Sequence, residues 1–525
     1  TAASGQLDEV GATLPVPDAA SIALKPKSSF RLLGTRVTGV DNAKLVRGEP
    51  LFGIDQRIPG MLYATYAKAP AIGARAISAN LDHVRTLRGV KHAFVVAHQG
   101  DPISFNPAAA AILSGVAIVA DSTWNAMQAK KALEVQWDAS QASSDSWTSA
   151  VAHAKSLAAK PGAEVLRGSG NVEAAFAAGK TVEALYTYHY VSHADLEPQN
   201  CTAWFKGDSI ELWAPTQTPQ NAVDGVAAPL GLPKEKATLH QLRGGGGFGR
   251  RLANDSVVEA AIISKQAGGI PVKVQWSRED DMAFDYYRPG GFQALKAAVD
   301  NAGKLSAWQN HLITFSMDGK TPVSGGNIDK SEFPANVLGN QRMVQSLIPS
   351  KIPTGPWRAP GSNVIPFCVQ GFLHECAVAA NRDYAQFLVD LMGEPRATSA
   401  GPFGGGLHTG RAANVIKAVA ERSGWGKAMP AGRGLGMAFH FSHQGHFAEV
   451  ADVSVDANKK ITVHKVWVVA DIGPIVNLST AENQCEGSVI DALSTAMGLK
   501  ITFEGGRVEQ TNFHQYPIVR IHKAT

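Results

Sequence analysis

Residues Arg243-Gly-Gly-Gly-Gly-Phe-Gly-Arg-Arg251 decide how this chain is read. They follow an apolar run at 237–242 that reads as a strand. They precede 255–265, which reads as a helix with Asp255 able to cap it and Val258, Ala261 and Ile262 on its apolar stripe. A strand, a glycine run and a helix form a setting in which backbone N–H groups can approach a ligand with no Cβ in the way. Gly244, Gly246 and Gly249 also satisfy the spacing of a dinucleotide fingerprint. That fingerprint asks for an acidic residue about 20 positions later. The stretch 265–273 has none, and Glu279 and Asp280 come too late. A tight turn without a ligand and a cofactor-approach loop of another kind stay open beside it, and the third reading fits best.

Around this loop lie 525 residues with 49 Lys+Arg against 45 Asp+Glu, a formal net charge of +4. No basic run exceeds a pair, which argues against a nucleic-acid binder. Charged residues are 18%, below the usual ~25%. With 52 Gly and 28 Pro this predicts a loop-rich protein with surface turned toward partners or a large cofactor. Four scattered cysteines with no CxxC pair offer neither a zinc ribbon nor an iron–sulfur cluster in this chain. The most apolar stretch, 108–120, falls short of the roughly 20 residues a membrane span needs. No signal segment follows Thr1, and 516–520 reads as a strand at which the chain stops, so it is expected to be the interior of a longer one.

Residues 1–30 read as a linker or arm, 31–140 as a mixed α/β unit, and 141–172 as a linker rich in Ala, Ser, Lys and Gly. Residues 173–400 and 401–525 read as the two parts of a larger unit, the second truncated. Short strands are predicted at 52–54, 61–63, 116–119, 183–190, 210–213 and 272–276. An antiparallel pair is predicted at 293–299 and 305–315, and a hairpin at 447–455 and 461–469. Helices are predicted at 122–133, at 412–422 with Gly424 stopping it, and at 489–497, with another running from Pro366 to about Asn381.

Four further features carry candidate chemistry. Gln217 ends a strand, where an amide can donate to an oxo or carbonyl group. Arg358 sits in a Pro/Gly frame, Pro356-Trp357-Arg358-Ala359-Pro360-Gly361, and can anchor a carboxylate or oxyanion. Gln484-Cys485-Glu486-Gly487 leads into a predicted helix whose N-terminal amides suit an anion. His440, His443 and His446 cluster, but on strand and loop, so surface or core histidines are favoured over metal ligands. Serine-hydrolase and Walker motifs are absent.

In order along the chain, several segments resemble the molybdenum-binding subunit of the xanthine dehydrogenase/aldehyde oxidase family. The resemblance is to its isoquinoline 1-oxidoreductase and membrane-bound aldehyde dehydrogenase branch. The segments are 48–55 with Pro59-Gly60-Met-Leu-Tyr63, then 119–121 through 135–138, His193-Ala-Asp-Leu-Glu-Pro198, Pro215-Thr-Gln217, 244–251, Gly355-Pro-Trp-Arg358, Asp471-Ile-Gly473 with Val476-Asn477, and 484–487. The resemblance covers about 30–525 and implies an α+β fold: an α/β-hammerhead domain followed by large mixed α+β molybdopterin-binding domains.

It implies roles as well. Gly246, Gly247, Phe248 and Gly249 would line the molybdenum, and Gln217 would hydrogen-bond its apical ligand. Arg358 would orient substrate, Gln484 with Gly487 would meet the pterin, and Arg250 and Arg251 would steady the loop or a phosphate. The implied reaction is hydroxylation of an aldehyde, or alternatively of an N-heteroaromatic ring, with oxygen from water. Implied cofactors are molybdopterin in its cytosine dinucleotide form here, with 2Fe-2S clusters on a small partner subunit and haem c on a membrane-bound cytochrome. Periplasmic placement through such a partner is implied, with cytoplasmic placement the other option.

Three departures bear on this. The family's glutamate base is expected beyond Thr525. Gly48-Glu49-Pro50 and Gly393-Glu394-Pro395 mimic its setting in the wrong part of the order. The family's front pterin segment is absent before Thr1. Leu252 stands where purine-oxidising members carry a glutamate, which disfavours purines. A non-catalytic assembly subunit and a nicotinamide-dependent dehydrogenase are the rival classes.

Overall fold

A computed structural model describes residues 8–399 and 405–524. The seven-stranded sheet carries the glycine loop at its edge. Its order is Ala237–Gln241, Ile210–Ala214, Asn200–Phe205, Val272–Gln275, Leu62–Lys68, Gly115–Ala120 and Val90–Val96. Gly115–Ala120 is buried at every position, as the unbroken apolar run Gly-Val-Ala-Ile-Val-Ala requires. The strands from 31–140 do not close on themselves. Leu62–Lys68 pairs in parallel with Val272–Gln275, so the first part of the chain extends the sheet that bears the loop. Helices Pro219–Leu230 and Asp255–Gln266 pack on this sheet through Ala222, Val226, Val258, Ala261 and Ile262. The second helix is buried on nearly all sides, which its apolar residues allow.

A five-stranded sheet, ordered Glu164–Ser169, Gln341–Pro349, Leu305–Ser316, Gly291–Val299 and Lys180–Tyr188, lies in a second core. That core also holds helices Ile365–Ala379, Tyr384–Met392 and Thr409–Ser423. The three-stranded sheet Arg433–Ser442, Gly445–Val455 and Ile461–Asp471 packs there too. Gly424 ends the helix Thr409–Ser423 in the left-handed conformation, as predicted. A third cluster gathers Tyr190, Tyr287, Trp357, Phe503 and Tyr516. The mixed sheets and packed helices make the fold α+β.

Several expectations are corrected. The segment read as a linker carries helix Trp147–Ala158, capped by the Ser146 hydroxyl, and strand Glu164–Ser169. Its alanines are helix-forming, and Ala154 is fully buried. Residues 52–54 form a 3-10 turn, Gly53–Asp55, instead of a strand. Residues 516–520 are not a strand, and Tyr516 is buried with its hydroxyl donating to the Ser192 carbonyl. The helix expected at 489–497 is Leu478–Met497, capped by Asn477. Residues 11–30 are exposed throughout. Residues 1–7 and the expected boundary at 400/401 lie outside the described residues.

Candidate active site

The glycine loop leaves its strand with Leu242 N–H donating to the Ala214 carbonyl and Arg243 accepting from Gly53. Glu197 then anchors it. One carboxylate oxygen accepts the Gly245 amide at 2.6 Å, and the other accepts the Ile54 amide at 2.8 Å and the Asn200 side chain at 2.9 Å. Arg251 comes from the far end of the loop and meets Glu197 Oε2 at 3.0 Å, while its Nε donates to the Gly246 carbonyl at 2.6 Å. A buried carboxylate and a buried guanidinium thus tie both ends of the loop together. A paired and fully hydrogen-bonded charge is the form in which burial is tolerated.

Between these ties the backbone turns twice through the left-handed region, at Gly246 (φ 111°) and Gly249 (φ 113°), with Phe248 at φ 50°. The amide groups of Gly246, Gly247, Phe248 and Gly249 have no acceptor among the described residues, and none of the four residues is buried. Four adjacent backbone donors without protein acceptors are suited to an electron-rich group. A Cβ on Gly247 would stand 2.9 Å from Gln217 Oε1, and one on Gly249 would enter the Pro356 carbonyl. The Gln217 backbone N–H donates to Arg251 O at 2.9 Å. Its side chain is exposed and makes no hydrogen bond among the described residues.

The Arg358 turn closes the other side. Arg358 N–H donates to the Phe248 carbonyl at 2.7 Å. Its guanidinium reaches helix Leu478–Met497, donating to Asp491 at 2.8 Å, to Gln484 Oε1 at 2.9 Å and to Ser488 at 3.1 Å. A Cβ on Gly487 would lie 3.8 Å from Arg358 Nη1. The structure therefore brings Gln217, 246–249, Arg358, Gln484 and Gly487 into one neighbourhood. Gln484 acts from the second turn of its helix through its side chain; the helix N-terminus is at Leu478, so the N-terminal amides expected near 484–487 are not available.

Of the two arginines after the loop, Arg251 reaches back to it through the Gly246 carbonyl, whereas the Arg250 side chain turns to other partners. Arg250 is buried behind the loop, donates to both oxygens of Asp255 at 2.9 and 2.8 Å, and pairs with Asp285 at 3.1 Å. His193 joins the same carboxylate through Nδ1 at 2.9 Å. Burial pushes the Asp285 carboxyl up, but His193 and Arg250 outweigh it and hold the group at about 2. Asp195, fully buried beside Gly246, is pushed above the ordinary carboxylate range by burial, against the pull of Arg251. Elsewhere, His440 and His446 lie on neighbouring strands, both pushed down to about 4 chiefly by burial. No group of three or more His, Cys, Asp or Glu side chains that could hold a metal ion occurs among the described residues.

Glu197, Asp285, Asp491 and Ser488 received no role from the sequence. Gln484, Ser488 and Asp491 follow the i, i+4, i+7 spacing of one helix face. That signal becomes visible once the helix is started at Leu478. Nothing local marks Asp285, whose partners lie far from it in sequence.

Two domain families match the chain, both described as molybdopterin cofactor-binding domains, over residues 159–387 and 411–525. A membrane-bound aldehyde dehydrogenase (pyrroloquinoline-quinone) of Gluconacetobacter polyoxogenes is 28% identical across 96% of this chain and 67% of its own. Isoquinoline 1-oxidoreductase subunit beta of Brevundimonas diminuta is 27% identical, with 96% and 64% covered. The chain thus spans about two thirds of the length of these curated relatives. Among solved structures, quinoline 2-oxidoreductase from Pseudomonas putida 86 superposes with a TM-score of 0.75 at 13% identity, covering 96% of this chain and 91% of that one. An aldehyde oxidoreductase from Desulfovibrio desulfuricans does so with a TM-score of 0.72 at 14% identity, covering 94% and 74%. Identities this low speak for the fold alone.

Proposed function

The chain belongs to the molybdenum-binding large subunits of the xanthine dehydrogenase family, and on that premise we propose that it is the catalytic subunit of a molybdenum hydroxylase oxidising an aldehyde to a carboxylic acid with oxygen from water. The observation that carries this reading is the row of four acceptor-free amides at 246–249, flanked by Gln217 and by the Arg358–Gln484 pair. These groups fit a molybdopterin: glycines where a Cβ would obstruct, N–H donors without protein partners, and amide side chains at both flanks. When bound, that cofactor supplies a two-electron oxidant for the substrate carbon. In this reading 246–249 and Gln217 hold its metal end, and Gln484 with Gly487 meets the pterin.

Arg358 has a double duty. Asp491, Gln484 and Ser488 fix its guanidinium, and in this reading the fixed cation orients the substrate and stabilises negative charge developing on it. Leu252, on the 3-10 turn after the loop, offers an apolar side chain where a purine would require an acidic one. Hydroxylation of an N-heteroaromatic ring is the second reading, favoured by the relative named isoquinoline 1-oxidoreductase.

The pterin is proposed in its cytosine dinucleotide form. Electrons are proposed to leave through 2Fe-2S clusters on a small subunit and then a cytochrome c subunit. The names of relatives as subunits support such an assembly. No helix among the described residues is long and apolar enough to cross a membrane. Association with the periplasmic face of a membrane through the cytochrome partner is part of the proposal, supported by the relative named membrane-bound. Assays of the full-length protein with its partners on acetaldehyde, benzaldehyde and isoquinoline test the reading. Turnover of the aldehydes supports it, and turnover of isoquinoline alone overturns it in favour of the second.

A further inference from the structure

His193 lies behind the site with both ring nitrogens facing acceptors. Nδ1 lies 2.9 and 3.1 Å from the two oxygens of Asp285, and Nε2 lies 3.1 Å from the Pro356 carbonyl. A peptide carbonyl only accepts, and so does an ionised carboxylate. A neutral imidazole has one N–H and would leave one contact with lone pairs opposed. Only the imidazolium satisfies both.

The surroundings suit that cation. Asp285 also accepts the Ser192 hydroxyl and the His193 amide, each at 2.7 Å, and pairs with Arg250. The carbonyl on the other side belongs to the turn that seats the active site. Gly249 approaches it so closely that a Cβ would collide with it, and would stand 3.2 Å from His193 Nε2. Two residues on, Arg358 N–H binds the Phe248 carbonyl.

We propose that His193 is the positioning residue of this site: as an imidazolium held by Asp285, it donates Nε2–H to the Pro356 carbonyl and keeps the turn 356–358 seated on Gly249. The contact links the buried charges to Arg358 without touching substrate or cofactor. Loss of the Nε2 proton turns the contact repulsive and frees the turn. Asp285 and Asp195 face the imidazole and lift it above its ordinary range, although burial opposes them. Arg250 and Arg251 face the same carboxylates from the loop. Tyr516 donates to the Ser192 carbonyl from the C-terminal segment. The sign follows: with the folded value raised, the clamp is complete below the ordinary histidine range and is lost as pH rises through the raised value. Asp281, pushed up to about 7 chiefly by burial, titrates nearby and serves as the control.

The activity arm of the test rests on the hydroxylase reading; the exchange arm does not. In the full-length protein, hydrogen exchange of the peptide covering 353–363 is followed against pH, corrected for intrinsic rate. Protection of the Arg358 amide is expected to fall as pH rises above the ordinary histidine range. In H193Q, whose amide can donate to the carbonyl but does not titrate, the pH dependence of that protection should be lost, with 237–242 and 272–275 unchanged. Hydroxylation by the wild type should show an alkaline fall in kcat. That fall should vanish in H193Q, where kcat is reduced roughly 10- to 100-fold with KM little changed, and should persist in D281N. If H193Q does not fold, the pH dependence of the wild-type exchange decides. Constant protection in the wild type across that range overturns the proposal. Absence of hydroxylation with pH-dependent protection overturns the functional reading and leaves the clamp standing.

Discussion

Glu197 accepts the Gly245 amide at 2.6 Å while its own backbone N–H donates to the Gly245 carbonyl at 3.1 Å, a reciprocal pair that fixes the start of the glycine loop. Arg251 neutralises the carboxylate from the loop's other end, and both side chains are almost wholly buried. Removing the carboxylate charge in E197Q strands the Arg251 guanidinium. A loss of about 3–5 kcal/mol in stability is expected from breaking one side of a buried pair. Urea unfolding of E197Q and wild type measures it, and a loss below about 1 kcal/mol would mean that water reaches the pair.

Gly249 and Gly268 separate two costs. Both have positive φ, at 113° and 88°, but a Cβ at Gly268 meets open space whereas one at Gly249 enters the Pro356 carbonyl. G268A should cost about 1–2 kcal/mol, the price of a left-handed alanine. G249A must also move the Arg358 turn, so it should cost more than G268A and sharply lower activity. Thermal unfolding with parallel assays compares them; equal behaviour would remove the close approach from the account.

Lys68 and Glu259 form a second buried pair, 2.8 Å apart, away from the loop. The ammonium also sits 3.2 Å over the Trp276 ring, whose N–H donates to Glu259 at 2.7 Å. K68M leaves a buried carboxylate short of its counter-charge and should cost roughly 3–5 kcal/mol. K68M/E259Q keeps an acceptor for Trp276 and should recover most of that loss. A double-mutant cycle reads the coupling directly.

Asp285 predicts an acid limb. Its folded value of about 2 lies below the ordinary carboxylate range. Its contribution, roughly 2 kcal/mol, is therefore complete above about pH 4 and disappears as pH falls toward 2. The stability gap between wild type and D285N should narrow over that window. A gap independent of pH there would show that Asp285 acts through packing alone.

Much of this architecture was legible because its signals are local. The apolar run 116–119, the glycine stop at Gly424 and the strand–glycine–helix order at 237–266 each depend on neighbours in sequence, and each appears within a few residues of expectation. The segment 141–172 was misread because its Ala, Ser and Lys composition suits a linker and a helix alike. Only the packing of Ala154 and Trp147 on the five-stranded sheet separates the two. Arg358 was legible as a rigidly framed cation, but Asp491, which fixes it, lies 133 residues away. The buried Asp285–His193–Pro356 chain joins positions 92 and 163 residues apart, through contacts that no spacing rule encodes.

The central claim is that the open amides of 246–249, with Gln217 and the Arg358–Gln484 pair, hold a molybdopterin. Molybdenum and pterin content of the purified full-length protein, wild type beside G247V, tests it most directly. Valine at 247 would crowd Gln217, whose Oε1 would stand 2.9 Å from its Cβ. The account predicts near-stoichiometric molybdenum and pterin in the wild type, and little of either in a G247V protein that retains its circular dichroism. A wild type without molybdenum, or a folded G247V that keeps its full complement, would contradict it.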